Sequence, residues 1–167
     1  FAPPYCAPEV AAAQLLQAGF ALLSGADLAR WIGATKVQLQ KLARDWDDLP
    51  PDNYLLDGGH YRSRRHGCFE VHAGTWATVP HRAHWQPVEY NALHGGIERW
   101  FEPMAQRTLA QPALHALLTG LGGLCDAVFA PNGEALRWYV ESHQFRIDTA
   151  SGIGRPTPEG AHRDGVD

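Results

Sequence analysis

The stretch Pro156-Thr157-Pro158-Glu159-Gly160-Ala161-His162-Arg163-Asp164-Gly165 places an imidazole and a carboxylate one residue apart, at His162 and Asp164. On an extended strand alternate side chains share a face, so the two groups converge on one point. They supply two of the three donors of a two-histidine, one-carboxylate metal site, an arrangement that leaves coordination positions open. Residues 148–160, which lead into the pair, are a loop by their Gly, Pro, Ser and Thr content. Residues 136–147 before that loop are the clearest strand in the chain.

Working upstream, Leu114, Leu117, Leu118, Leu121 and Leu124 recur at helical spacing and predict a helix over 111–129. Gly120-Leu121-Gly122-Gly123 lacks the Lys of a phosphate loop and reads as a loosened helix end. The aromatic, Gly- and Pro-punctuated stretch 75–104 reads as loop, and 61–72 alternates well enough for a strand. Before Asp47-Asp48-Leu49-Pro50-Pro51 the texture is helical. Pro8 and Glu9 open one helix that Gly19 ends, Ser24 with Asp27 caps a second, and a third covers 35–46. A short apolar strand is expected at 20–23.

The 167 residues carry 14 Lys+Arg against 18 Asp+Glu, a net charge of −4, with 45% hydrophobic and 19% charged residues. That is enough apolar material for one domain with a core, and it excludes disorder for the bulk of the chain. The mild acidity argues against a nucleic-acid or anionic-membrane partner, both of which want phosphate-neutralising charge. Cys6, Cys68 and Cys125 show no metal-ligand or disulfide spacing, and Cys68 and Cys125 read as inert core thiols. No run of about 18 apolar residues and no secretory layout is seen, so a cytoplasmic location is expected. The start at Phe1 and the stop at Asp167 suggest a piece of a longer polypeptide.

The His162–Asp164 stretch, together with Asp57-Gly58-Gly59-His60-Tyr61-Arg62-Ser63-Arg64-Arg65-His66 and Glu141-Ser142-His143-Gln144-Phe145-Arg146-Ile147, resembles a bacterial family of Fe(II)- and 2-oxoglutarate-dependent dioxygenases. That family includes free L-amino-acid hydroxylases acting on isoleucine and similar substrates. The resemblance implies an α+β chain with a double-stranded β-helix, a jelly-roll of cupin type, preceded by helices. It implies one domain over 1–167, helical to about residue 50, with the β-helix core beginning there and continuing beyond the residues given. It further implies Fe(II) and 2-oxoglutarate as cofactors, dioxygen and a small substrate as partners, and His162 and Asp164 as catalytic iron ligands. The third ligand and the Arg that holds 2-oxoglutarate are expected downstream of Asp167. A non-catalytic jelly-roll protein that binds a small ligand or a protein partner, in a stress or biofilm setting, is the alternative. A zinc hydrolase would need a base and a third ligand that the sequence does not offer.

The remaining polar residues carry weaker expectations. His143 shares a strand face with Tyr139, Glu141 and Phe145, where it can line a substrate pocket or sit as a half-buried hydrogen-bonded histidine. Arg146, on the opposite face, can hold a substrate carboxylate or make a surface ion pair. Alternation separates Arg62 and Arg64 from Arg65, and solvation of the strand is the expected role of this basic cluster, ahead of carboxylate recognition. His81 and His84, without cysteine partners, read as part of a polar loop.

Overall fold

The computed structural model describes residues 4–55, 58–89, 95–150, 152 and 154. His162 and Asp164, with the whole of their motif over 156–165, lie outside the described residues.

The helix signals act where the sequence puts them. A single 3-10 turn over Pro8–Val10 runs into α1 (Ala11–Ala18), which Gly19 ends at φ 77° with its N–H on the Leu15 carbonyl. Ser24 caps α2 (Gly25–Ile32) by accepting from the Asp27 N–H. Thr35 and Gln38 form a reciprocal capping box on α3 (Lys36–Ala43), which tightens into a 3-10 turn over Arg44–Trp46. The strand expected at 20–23 is irregular chain instead. One backbone bond, from the Cys6 N–H to the Leu22 carbonyl, ties it down, and Phe20 and Leu22 remain exposed, so no buried face rewards an extended ladder.

Strand β1 (Arg62–His72) is flanked by β2 (Thr75–Thr78) and β3 (Arg137–Ile147) in the order β2-β1-β3. β1 and β2 form an antiparallel hairpin with His72 opposite Thr75 and Phe69 opposite Thr78. The two-residue turn Ala73-Gly74 has positive φ at both positions (47° and 73°), the primed geometry that matches strand twist. That turn is why a strand forms at the start of a stretch expected to be loop. β3 runs antiparallel to β1, since the Asp148 N–H reaches the Tyr61 carbonyl and His72 Nδ1 lies 3.1 Å from the Leu136 carbonyl.

A short α4 (Gln106–Leu109) precedes α5 (Pro112–Phe129), which continues unbroken through the glycines read as a helix end. Gly122 among them serves close packing: a Cβ there would lie 2.5 Å from Val71 Cγ1, whereas one on Gly120 would make ordinary contact with Ile32 and one on Gly123 would meet nothing within 4 Å. By length and composition alone α5 is apolar enough to cross a membrane, contrary to the expectation that no such run exists. α1, α2, α3, α4 and β2 pack on it.

The chain divides into two compact units. The first comprises the stretch up to Asp45, Phe69–Val79 and Ala105–Val140. Its core includes Leu42, Phe69, Val71, Leu114 and Leu118. The second is built on Trp46–Cys68, Pro80–Met104 and the stretch from Glu141. Strand β1 passes from one unit to the other, and its burial changes parity as it does so. Arg62, Arg64, His66 and Cys68 are buried at even positions, whereas Phe69 and Val71 are buried at odd ones.

Candidate functional site

The second unit concentrates buried polar side chains on one face of its strands. Arg62, Arg64 and His66 follow one another by twos along β1, and Glu141, His143 and Phe145 do the same along β3. Two irregular segments complete the set. Asp52 is fixed beside β1 by the paired bonds Asp52 N–H to Arg62 carbonyl and Arg64 N–H to Pro50 carbonyl. His84 and Arg99 face each other in an isolated antiparallel bridge with two backbone bonds of 3.0 and 3.1 Å.

Four side chains converge here: His66, His84, Glu141 and His143, whose candidate ligand atoms all lie within 4.8 Å of one another. Glu141 is the hub. Its Oε2 lies 2.9 Å from His84 Nδ1 and 3.6 Å from His143 Nε2, and its Oε1 lies 3.7 Å from His66 Nε2. The imidazoles of His143, His66 and His84 hold its carboxyl far below the ordinary carboxylate range, against the opposing effect of burial. Glu141 is therefore ionised and accepts only, so His84 donates to it through Nδ1.

His143 is fixed by the same logic from the other side. Arg64 Nη2 lies 2.5 Å from His143 Nδ1, and a guanidinium only donates, so Nδ1 accepts and the ring proton sits on Nε2, toward Glu141. Burial lowers the His143 pKa to about 4, helped by the charge of Arg64 and opposed by Glu141. The ring is neutral at pH 7. With both nitrogens of His143 engaged, His66, His84 and Glu141 are the donors left to a cation.

Two donors bound to one first-row ion at about 2.0–2.2 Å each cannot be more than about 4.4 Å apart. The widest pair of candidate atoms in the four-residue group exceeds that limit by about 0.4 Å. Imidazole and carboxylate are the donor types that Fe(II) takes. Buried His66 Nδ1 also has no hydrogen-bond partner among the described residues. The residues present fit a divalent metal.

Around this group lie Arg62, Arg64 and Arg99, at 6%, 7% and 3% exposure. Arg62 Nε donates to Asp52 Oδ2 at 2.6 Å, and Arg99 Nη2 donates to Gln86 Oε1 at 2.9 Å. The Arg64 guanidinium sits 3.8 Å above the Phe101 ring. Strand solvation, the role expected for Arg62 and Arg64, is thus overturned by their burial. Arg65 points away by alternation and donates to the Pro103 carbonyl. Reading His84 as part of a polar loop is also corrected, because it is 6% exposed and bonded to Glu141.

Of the substrate residues expected from sequence, His143 belongs to the cluster, while exposed Arg146 donates to the Asp47 carbonyl and is not brought to it. Asp52, Gln86 and Arg99 were not singled out by sequence. Glu141 and His143 had a usable signal, since a carboxylate and an imidazole two apart on a strand repeat the pattern of His162 and Asp164.

The family model described as 2OG-Fe dioxygenase matches residues 43–167. A solved structure described as a bsmA homolog from Methylobium petroleophilum PM1 is 49% identical with a TM-score of 0.85. The match covers 98% of this chain and 65% of that one, so the chain spans under two thirds of its relative's length. A search of functionally curated proteins finds no match.

Proposed function

Since this chain belongs to the 2OG-Fe dioxygenase family, whose cofactors are Fe(II) and 2-oxoglutarate, we propose that it serves a cytoplasmic hydroxylase of a small substrate, a free L-amino acid. The family match over residues 43–167 carries this reading. The proposal includes closure of the β2-β1-β3 sheet into a double-stranded β-helix with further strands, and His162 and Asp164 as iron ligands.

When bound, the cofactors supply the oxidising power. One atom of dioxygen enters a substrate C–H bond, and the other enters succinate as 2-oxoglutarate loses carbon dioxide. The chain's residues orient and shield. Glu141 and Arg64 orient the rings of His84 and His143, and Phe101 and Phe145 line the arginine side of the cluster with apolar surface.

The test is aerobic incubation with 2-oxoglutarate, each L-amino acid in turn and Fe(II), read by succinate formation and by an amino acid that gains one oxygen in its mass. Turnover that needs Fe(II) and is lost in both His162→Ala and Asp164→Ala supports the reading; full turnover in both variants overturns it. The tight grouping of His66, His84 and Glu141 favours a second reading of where iron binds. Iron content decides between them: loss in Asp164→Ala with retention in Glu141→Gln assigns the metal to the His162–Asp164 motif, and the reverse assigns it to the cluster.

A further inference from the structure

Arg62, Arg64 and Arg99 bury three guanidiniums in one neighbourhood, and their partners do not use all the donors. Asp52 takes Arg62 Nε and lies 3.7 Å from Arg64 Nη1, Gln86 takes Arg99 Nη2, and His143 takes Arg64 Nη2. Arg62 Nη2, Arg64 Nε and Arg99 Nε are buried with no hydrogen-bond partner among the described residues. Buried charge and buried unpaired donors are both costly, so each calls for a completing partner, and a bound ligand is one that can supply it. The charges also press on one another. Burial lowers the Arg64 pKa to about 10, with Arg62 and Arg99 pushing the same way against Asp52, and burial and Arg62 lower that of Arg99 against Asp52 and Glu141.

The surroundings select the ligand. Phe101 lies under Arg64, and the Phe145 ring lies 5.4 and 5.5 Å from the guanidinium carbons of Arg62 and Arg64. Flat apolar walls beside single unpaired N–H groups from three guanidiniums suit a small organic carboxylate, whose two oxygens can accept several charge-assisted bonds. We infer that Arg62, Arg64 and Arg99 form a receptor for a carboxylate carried by a small ligand of the reaction, either the amino-acid substrate or 2-oxoglutarate. This rests on the hydroxylase reading only for the identity of the two ligands.

The test measures binding of 2-oxoglutarate, succinate and each of the twenty L-amino acids to the full chain, metal-free and with Mn(II), by titration calorimetry. It is repeated with Arg99→Met and Arg64→Lys, and ligand-free melting temperatures are recorded in parallel. The expected result is that at least one carboxylate binds and that both variants weaken it at least tenfold at a temperature where their ligand-free melting curves show them fully folded. The carboxamide analogue of the bound ligand should lose affinity on wild-type protein to the same degree, a result that needs no variant to fold. Weakening confined to 2-oxoglutarate assigns the site to the cosubstrate, and weakening confined to an amino acid assigns it to the substrate. Wild-type affinities in the variants, equal binding of acid and amide, or no carboxylate bound at all overturns the receptor. Arginine-dependent binding without Fe(II)-dependent succinate formation would refute the hydroxylase and leave the receptor standing; turnover with affinities untouched by the variants would do the opposite.

Discussion

Arg64 joins the two chemistries of the site, donating to His143 on one side and lying beside Asp52 on the other. Because His143 is held neutral down to about pH 4 while an unfolded histidine titrates near 6.5, the unfolded chain binds one more proton between those values. Stability is therefore unaffected above pH 6.5, falls as pH drops through the window, and reaches its full loss of about 3 kcal/mol below pH 4. Urea unfolding of metal-free wild type and His143→Gln should show the wild-type curve steeper between pH 4.5 and 6.5, and parallel curves would refute the assignment. Asp52→Asn should cost about 3–5 kcal/mol in the same assay, because it leaves the Arg62 charge buried without its counterion. These residues were only partly legible in the sequence. Alternation placed Arg62 with Arg64 and Glu141 with His143, but the facing of His84 and Arg99 depends on a bridge across fourteen intervening residues that leaves no local trace.

Among the elements, the glycines of α5 separate packing from propensity. Gly122→Ala gains about 1 kcal/mol of helix propensity but drives a methyl into stiff Val71, an overpacking cost of about 1–3 kcal/mol. It should come out neutral to destabilising. Gly123→Ala, with nothing within 4 Å of the added carbon, should stabilise by up to about 1 kcal/mol. Chemical denaturation of both variants checks the contrast, and equal effects would mean that α5 does not pack as closely as its glycines indicate. The helices were legible because their caps are local: Ser24, Thr35 and Gly19 act within one turn. The continuation of α5 through Gly120–Gly123 was not, since the one close approach that asks for a small residue there, Val71 on Gly122, comes from a strand distant in sequence.

For the molecule as a whole, ligand binding and folding are one equilibrium. Mn(II) with 2-oxoglutarate at a hundred times its dissociation constant should stabilise the folded chain by about 2.7 kcal/mol, which is roughly 5–10 °C in melting temperature at this size. Scanning fluorimetry would read it, and an unchanged melting temperature would argue against a bound cofactor pair. The net charge of −4 gave no hint of the three buried arginines, because it sums every charged residue regardless of where it lies. The change of parity in β1 has a consequence for variation in length. Losing one residue from the first half of the strand would swing Arg62 and Arg64 to the opposite face while Phe69 and Val71 kept their places, yielding a chain that still folds its helical unit yet has turned its ligand-facing charges outward. Insertions and deletions, more than substitutions, are the changes by which such a strand would lose its chemistry and keep its core.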